Sequence, residues 1–271
     1  MKILKYIFEA IFFYILFFII KILGIKLGRK ICSFLFLKFG IFFRSKNIIN
    51  ENISNVFKNI SKEDANIIIN SMWENYGYIL AEYMYLDKFR LNKFSNLHIQ
   101  IKGKEILDNV LKSKKPSIFI SGHFANFELM SMEITKKSIK LATIYRPLNN
   151  YFLNPFMEFL RKRYICKNQI KKGRAGVRDA MKFIDNGFSI ALMIDQRVSE
   201  GLQINLFNRS AKTTTIPAQL VKKFGCKVAK ISFAILGSIE FVCILNRQNK
   251  TIKVLPYKSS NLERHYKNFS S

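Results

Sequence analysis

Acidic residues, histidine and cysteine are in short supply in this chain, and each scarcity removes a class of function. Asp and Glu number 18 against 45 Lys and Arg, leaving a net charge of +27 over 271 residues. That excess calls for an anionic partner: phospholipid, a phosphorylated substrate, an acidic protein or nucleic acid. A composition rich in Lys, Ile, Asn and Phe, of the kind AT-rich coding produces, contributes part of it. The basic residues are dispersed, with no Arg-rich tract, zinc-finger spacing or RNP-like aromatic pattern, which argues against nucleic acid. His98, His123 and His265 are the only histidines and make no HExxH or HxH pattern, so no protein-built metal site and no cofactor are expected. Cys32, Cys166, Cys226 and Cys243 are scattered without a CxxC pair and read as thiols of a reducing compartment. Internal repeats and low-complexity blocks are missing as well.

What the chain has in abundance is apolar sequence at its start. Residues 3–23 are nearly all apolar around the uninterrupted run Ala10 to Ile20, with Lys5, Glu9 and Lys21 near the ends. The unbroken run falls short of the roughly 20 residues a perpendicular span needs, so it fits either a span with snorkelling lysines or a segment lying in the surface. No small-x-small cleavage site follows it, which argues against a removed signal peptide. A second apolar stretch, 31–43, suits a helix in the interface or part of the domain floor. Lys21, Lys26, Arg29, Lys30, Lys38, Arg44 and Lys46 follow the first segment, against Lys2 and Lys5 before it. The positive-inside rule therefore places the bulk of the protein in the cytoplasm. Residues 1–46 are expected to form the membrane anchor and interfacial helix, and 47–271 a single α/β domain.

Residues 47–60 read as a polar connector, and Ser61-Lys62-Glu63-Asp64 as the start of an amphipathic helix. From residue 97 strands and helices alternate. Strands are expected over 97–102, 117–121, 141–145, 189–194, 227–234, 239–245 and 251–255. Helices are expected over 104–112, 126–136, 150–164, 175–186 and 217–224. The pattern predicts an α/β fold with a single mixed, largely parallel sheet flanked by helices and an antiparallel edge at the last strands.

Chemistry concentrates where the expected strands end, as ligand sites do in open α/β sheets. Ser121-Gly122-His123-Phe124-Ala125-Asn126-Phe127-Glu128 turns from strand into helix, with His123 at its mouth and Glu128 on the first helical turn. The pair suits a general base and the carboxylate that orients it; Glu128 equally suits a helix N-terminus. No Ser or Cys in the turn has the setting of a nucleophile elbow, so direct attack by a bound substrate is expected rather than an acyl-enzyme. Arg146 in Tyr145-Arg146-Pro147 suits an oxyanion or phosphate donor, or a solvated turn. Lys171-Lys172-Gly173-Arg174 precedes a helix and suits phosphate, or a basic loop. Asp195 in Asp195-Gln196-Arg197 either organises the site through hydrogen bonds or caps a strand end.

In this order His123-x4-Glu128, Tyr145-Arg146-Pro147 with Asn149-Asn150, Gly173-Arg174 and Asp195-Gln196 resemble the bacterial lipid A biosynthesis (lauroyl/myristoyl, late) acyltransferases of the lysophospholipid acyltransferase superfamily. The resemblance continues through Gly201, Phe207, Ala211, Thr213, Pro217-Ala218 and Gly225 and spans roughly residues 1–257. Asn208-Arg209 stands where the family often has Gly, and the chain reads as short at its C-terminal end. The resemblance implies acyl transfer from an acyl carrier protein thioester, or acyl-CoA, to a hydroxyl of a phosphorylated glycolipid acceptor, at an anionic inner membrane. It assigns His123, Glu128 and Arg146 to catalysis and Arg174, Asp195, Gln196 and Asn126 to substrate binding. The alternatives are an acyltransferase of the same fold with another lipid acceptor (a lysophospholipid, a mannosylated phosphoinositide or an aminolipid), a decayed lipid-binding protein, and a hydrolase using the same histidine.

Overall fold

The computed structural model describes residues 2–57, 59–93, 99–102, 104–123, 125–206, 209–236 and 240–246. His98, His265, Phe207, Asn208 and the expected strand over 251–255 lie outside the described residues. Packing divides the chain into a helical unit, Met1–Asp87 with Asn150–Leu153, and an α/β unit, Lys88–Asn149 with Asn154–Ser271.

The helical unit contains α1 (Lys2–Leu23), α2 (Ile25–Phe39), a 3₁₀ turn (Gly40–Phe42), α3 (Lys46–Val56), α4 (Lys62–Glu82) and a second 3₁₀ turn (Tyr83–Tyr85). It reaches into α5 (Leu86–Arg90), which straddles the boundary between the units. Among the described residues α1 alone is long and apolar enough to cross a membrane. Its C-terminal end is tied down by the Tyr85 hydroxyl, which donates to the Ile20 carbonyl at 2.6 Å. The Lys21 ammonium adds a bond to the Met84 carbonyl at 2.7 Å. Nearer its start, Asn150 Nδ2 donates to the Tyr6 carbonyl at 2.9 Å, and the Tyr14 hydroxyl donates to the Phe152 carbonyl at 2.8 Å.

The Ser61 hydroxyl accepts the Asp64 N–H at 3.0 Å and starts α4 as the sequence predicts. The helix then lies against α2 so closely that a Cβ on Gly77 would stand 2.5 Å from the Ser33 nitrogen. Arg29 of α2 and Glu82 of α4 form a buried ion pair, 8% and 1% exposed, with the guanidinium 5.7 Å from the Tyr78 ring centre. This packing joins α4 to the helices before it, so the compact units part at Asp87, not after residue 46 as hydropathy suggested. The expected connector over 47–60 is largely helical: Ile49 and Ile53 repeat at i, i+4 and turn inward on α3 despite the Asn-rich surroundings.

The α/β unit is built on β1 (Ile99–Lys102), α6 (Lys104–Ser113), β2 (Ser117–Ser121), α7 (Glu128–Lys136), β3 (Leu141–Tyr145) and α8 (Asn154–Leu160). A π-turn (Arg161–Ile165), β4 (Asn168–Lys171), α9 (Arg174–Asp185), β5 (Ser189–Met193), β6 (Leu202–Leu206) and β7 (Arg209–Thr213) follow. The chain continues through α10 (Ile216–Phe224), β8 (Lys227–Leu236) and β9 (Glu240–Asn246). The sheet runs β1-β9-β8-β2-β5-β3-β4, with β8, β2, β5, β3 and β4 mutually parallel and only β8–β9 antiparallel. β6 and β7 form a separate antiparallel hairpin.

Central strands of a parallel sheet are covered on both faces and so read as apolar runs. In β2, Ile118 joins Ala142, Ile190, Ala180, Ile184 and Leu220 in one core, while Phe119, also fully buried, points to the opposite face. On α9 the positions Gly176, Ala180 and Ile184 form the inward stripe. A Cβ at Gly176 would meet the Lys171 carbonyl at 2.0 Å, so only glycine lets α9 sit this close to β4.

Candidate active site

β2 and β5 are hydrogen-bonded neighbours running the same way, with Ser121 in register with Met193. Two residues past each of these lie His123 and Asp195, so the register itself brings the two side chains together. His123 Nδ1 is 2.8 Å from Asp195 Oδ1, and the His123 backbone N–H donates to Asp195 Oδ2 at 2.7 Å. An ionised carboxylate only accepts, so the ring hydrogen resides on Nδ1 and Nε2 keeps its lone pair. Nε2 lies 3.4 Å from the Gln196 amide nitrogen, a long contact. Partial burial alone would push the Asp195 carboxyl up, but the two hydrogen bonds from His123 outweigh it and hold the group below the usual carboxylate range.

Local backbone supports the turn. Ala125 adopts φ 46°, a left-handed conformation that costs an L-residue about 1–2 kcal/mol. Phe127 sets its ring edge-on to the imidazole at 4.5 Å between centres. Helix bonding begins from the Asn126 carbonyl, which accepts the Leu129 N–H at 3.1 Å.

The structure corrects the expected His123–Glu128 pair. Glu128 is directed at Arg161, which holds Glu128 Oε1 through Nη2 at 2.7 Å and Nε at 2.8 Å. Both side chains of that pair are about nine-tenths buried. The reason is positional: Glu128 starts α7 and turns toward the π-turn after α8, whereas His123 leans toward the neighbouring strand end. Asn126, expected to touch substrate, is fully buried and does not line the cleft. Asn150 belongs to the helical unit, where its Oδ1 accepts the Phe152 and Leu153 N–H groups.

His123, Glu128, Arg146, Arg174 and Gln196 all line one cleft of about 970 Å³, at the upper end of the roughly 300–1,000 Å³ common for ligand sites. Its apolar wall includes Met130, Ile165, Val177, Leu192 and Ile216. Arg146 is exposed at the end of β3, and the Tyr145 carbonyl before it accepts the Lys172 N–H at 2.8 Å, coupling the third and fourth strand ends. Arg174 pairs with Glu200 at 2.8 Å, both largely exposed. The Tyr145 hydroxyl donates to Glu158 Oε1 at 2.6 Å, which lowers the Glu158 carboxyl, while burial and that carboxylate raise the phenol.

Sequence reasoning missed Arg161 and Glu158, both inside a stretch read as plain helix. The available signal was Glu128 itself: a carboxylate beside an apolar cleft needs a cation, and Arg161-Lys162-Arg163 is the basic run that follows. No group of His, Cys, Asp and Glu fit to hold a metal ion occurs among the described residues.

A family model described as bacterial lipid A biosynthesis acyltransferase matches residues 1–236. No curated protein matches the chain. The solved structure of the 1-acyl-sn-glycerophosphate (LPA) acyltransferase PlsC from Thermotoga maritima is similar at 13% identity, covering 89% of this chain and 94% of that one, with a TM-score of 0.36.

Proposed function

The chain belongs to the bacterial lipid A biosynthesis acyltransferase family, and from this lipid acyltransferase identity we propose that it moves a fatty acyl chain from an acyl carrier protein or CoA thioester to a hydroxyl of a lipid A precursor. His123 Nε2 takes the acceptor hydroxyl proton as that oxygen attacks the thioester carbonyl. The tetrahedral oxyanion forms beside Arg146, whose charge stabilises it. Collapse breaks the carbon–sulfur bond, and the departing thiolate recovers the proton from Nε2. Asp195 keeps the hydrogen on Nδ1 and steadies the imidazolium between the two transfers. Glu128 acts through Arg161, fixing a cleft wall, and Arg174 and Gln196 meet substrate at the rim. The observation that carries this reading is the His123–Asp195 pair, with Nε2 turned toward the cleft-lining Gln196 and able to accept.

The helical unit anchors the enzyme to the cytoplasmic face of the inner membrane, where the phosphorylated glycolipid and anionic lipids would meet a basic protein. Polar contacts at Tyr6, Tyr14, Ile20 and Lys21 hold α1 along most of its length, which supports a helix lying in the surface rather than crossing it.

The test uses full-length protein in neutral detergent with acyl carrier protein thioester and a tetra- or penta-acylated lipid A precursor. Transfer that disappears in His123→Ala supports the mechanism; unchanged transfer removes His123 as the base. Thioester loss without acceptor indicates a hydrolase, transfer only to a lysophospholipid indicates another acceptor, and no reaction with any acceptor indicates a binding protein.

A further inference from the structure

The opposite ends of β3 and β4 border a second cavity, of about 340 Å³, that the reaction does not use. It opens where Leu141 begins β3 and Asn168 begins β4, whereas the catalytic cleft takes in Thr143 to Arg146 on one strand and Gln169 and Lys172 on the other. Ile165 borders both, and the two differ in the rest of their lining.

The wall of this cavity is cationic. Arg90, Lys140, Lys162, Arg163 and Lys167 make up five of its twelve lining residues, and none of the twelve is a carboxylate. Over the whole chain Lys and Arg are 45 of 271 residues, so general basicity does not account for this density. The cluster has a structural cause. The π-turn at Arg161–Ile165, closed by the Cys166 N–H on the Arg161 carbonyl at 2.9 Å, interrupts the α-helical repeat. Together with the extended stretch after it, this lays Lys162, Arg163, Ile165, Cys166 and Lys167 along one wall. Such turns occur often at functional sites.

The cations differ in what already holds them. Arg90 is fixed by the Met132 carbonyl and the Thr135 hydroxyl, and Lys162 faces Glu158 at 3.8 Å. Lys140 stands 5.7 Å from the Phe188 ring centre, and Arg163 lies against Phe159 and Tyr164. Among the described residues Lys140, Arg163 and Lys167 have no ion-pair partner. Several cations around one cavity suit a tetrahedral group with several acceptor oxygens.

We propose that this cavity is a binding site for a phosphate-bearing group, separate from the catalytic cleft and supplied either by a phospholipid headgroup or by a free phosphate. Its volume, near the lower end of the range for ligand sites, admits a phosphate with a short organic attachment.

Calorimetric titration of the full-length protein in neutral detergent, with inorganic phosphate in one arm and monomeric dihexanoyl phosphatidylglycerol in the other, tests this. Saturable binding of at least one probe is expected. It should weaken by about tenfold or more in Lys140→Gln/Arg163→Gln/Lys167→Gln, three surface changes that leave the fold and basal acyl transfer intact, and should weaken further with salt. Saturation by the lipid alone names the headgroup as the source, and saturation by inorganic phosphate names the free anion. Arg146→Gln in the cleft should leave this binding unchanged. The proposal is overturned if neither probe saturates, if the triple variant binds as well as the parent, or if Arg146→Gln alone removes binding. Because binding is read directly, it stands or falls separately from the acyl-transfer mechanism.

Discussion

Replacing Asp195 by Asn and Glu128 by Gln separates the two carboxylates that compete for the role of orienting His123. Asp195 accepts at both oxygens, from Nδ1 at 2.8 Å and from the backbone N–H at 2.7 Å. Asparagine can keep one acceptor on the backbone, but its amide then donates toward Nδ1. That drives the ring hydrogen to Nε2, where it blocks proton uptake. A wrong-tautomer change of this kind costs roughly 10⁴-fold in kcat in the best-studied triads, and KM should change little because Asp195 does not line the cleft. Glu128→Gln instead breaks a nearly buried ion pair, the side chains being 11% and 12% exposed. Loss of one partner of such a pair costs about 3–5 kcal/mol. For a domain of this size, that corresponds to a fall of roughly 6–20 °C in Tm. The assay pairs initial rates with thioester donor and lipid acceptor against a thermal melt of the same preparations. If Glu128→Gln lowers kcat as far as Asp195→Asn does while its melt is unchanged, the Asp195 assignment is wrong and Glu128 is the orienter.

Two further outcomes follow from the carboxylates. Asp195 and Glu158 both lie below their ordinary range, so they add stability above the unfolded value and lose it as pH falls through the folded one. The melting temperature should therefore hold near neutrality and drop below about pH 4; Tyr145→Phe, which deprives Glu158 of its donor, should flatten that drop, and an equally steep fall would mean that the tyrosine hydroxyl does not lower Glu158. In the helical unit, Arg29→Met alone leaves Glu82 buried without its cation and should cost about 3–5 kcal/mol, whereas Arg29→Met with Glu82→Leu should recover most of that loss in a denaturant titration. No recovery in the double variant would show that the pair does more than neutralise itself.

The parallel core was legible where burial on both faces leaves a continuous apolar run ended by a breaker. β2 and β3 lie where Ser117–Ser121 and Leu141–Tyr145 were read, and β5 ends one residue early. β4 was not legible, because Asn168–Lys171 is a short edge strand with only Ile170 buried. The β6–β7 hairpin escaped for a related reason: β6 is exposed throughout, so neither face carries a period. The expected helix over 150–164 is real only from Asn154, since Asn150–Leu153 folds onto α1 and the last turn widens into a π-turn. For the site, the turn at His123 and the cluster of polar strand ends could be read locally. The contact between His123 and Asp195 could not, because it depends on which strands are neighbours.

That adjacency has a kinetic consequence. The partners of the pair are 72 residues apart, and β3, β4 and three helices lie in the chain between β2 and β5. Closing so long a loop comes late relative to local helix formation. Regain of acyl transfer on refolding should therefore lag behind regain of helical signal, so the enzyme's own turnover reports when its sheet has closed in the correct alignment.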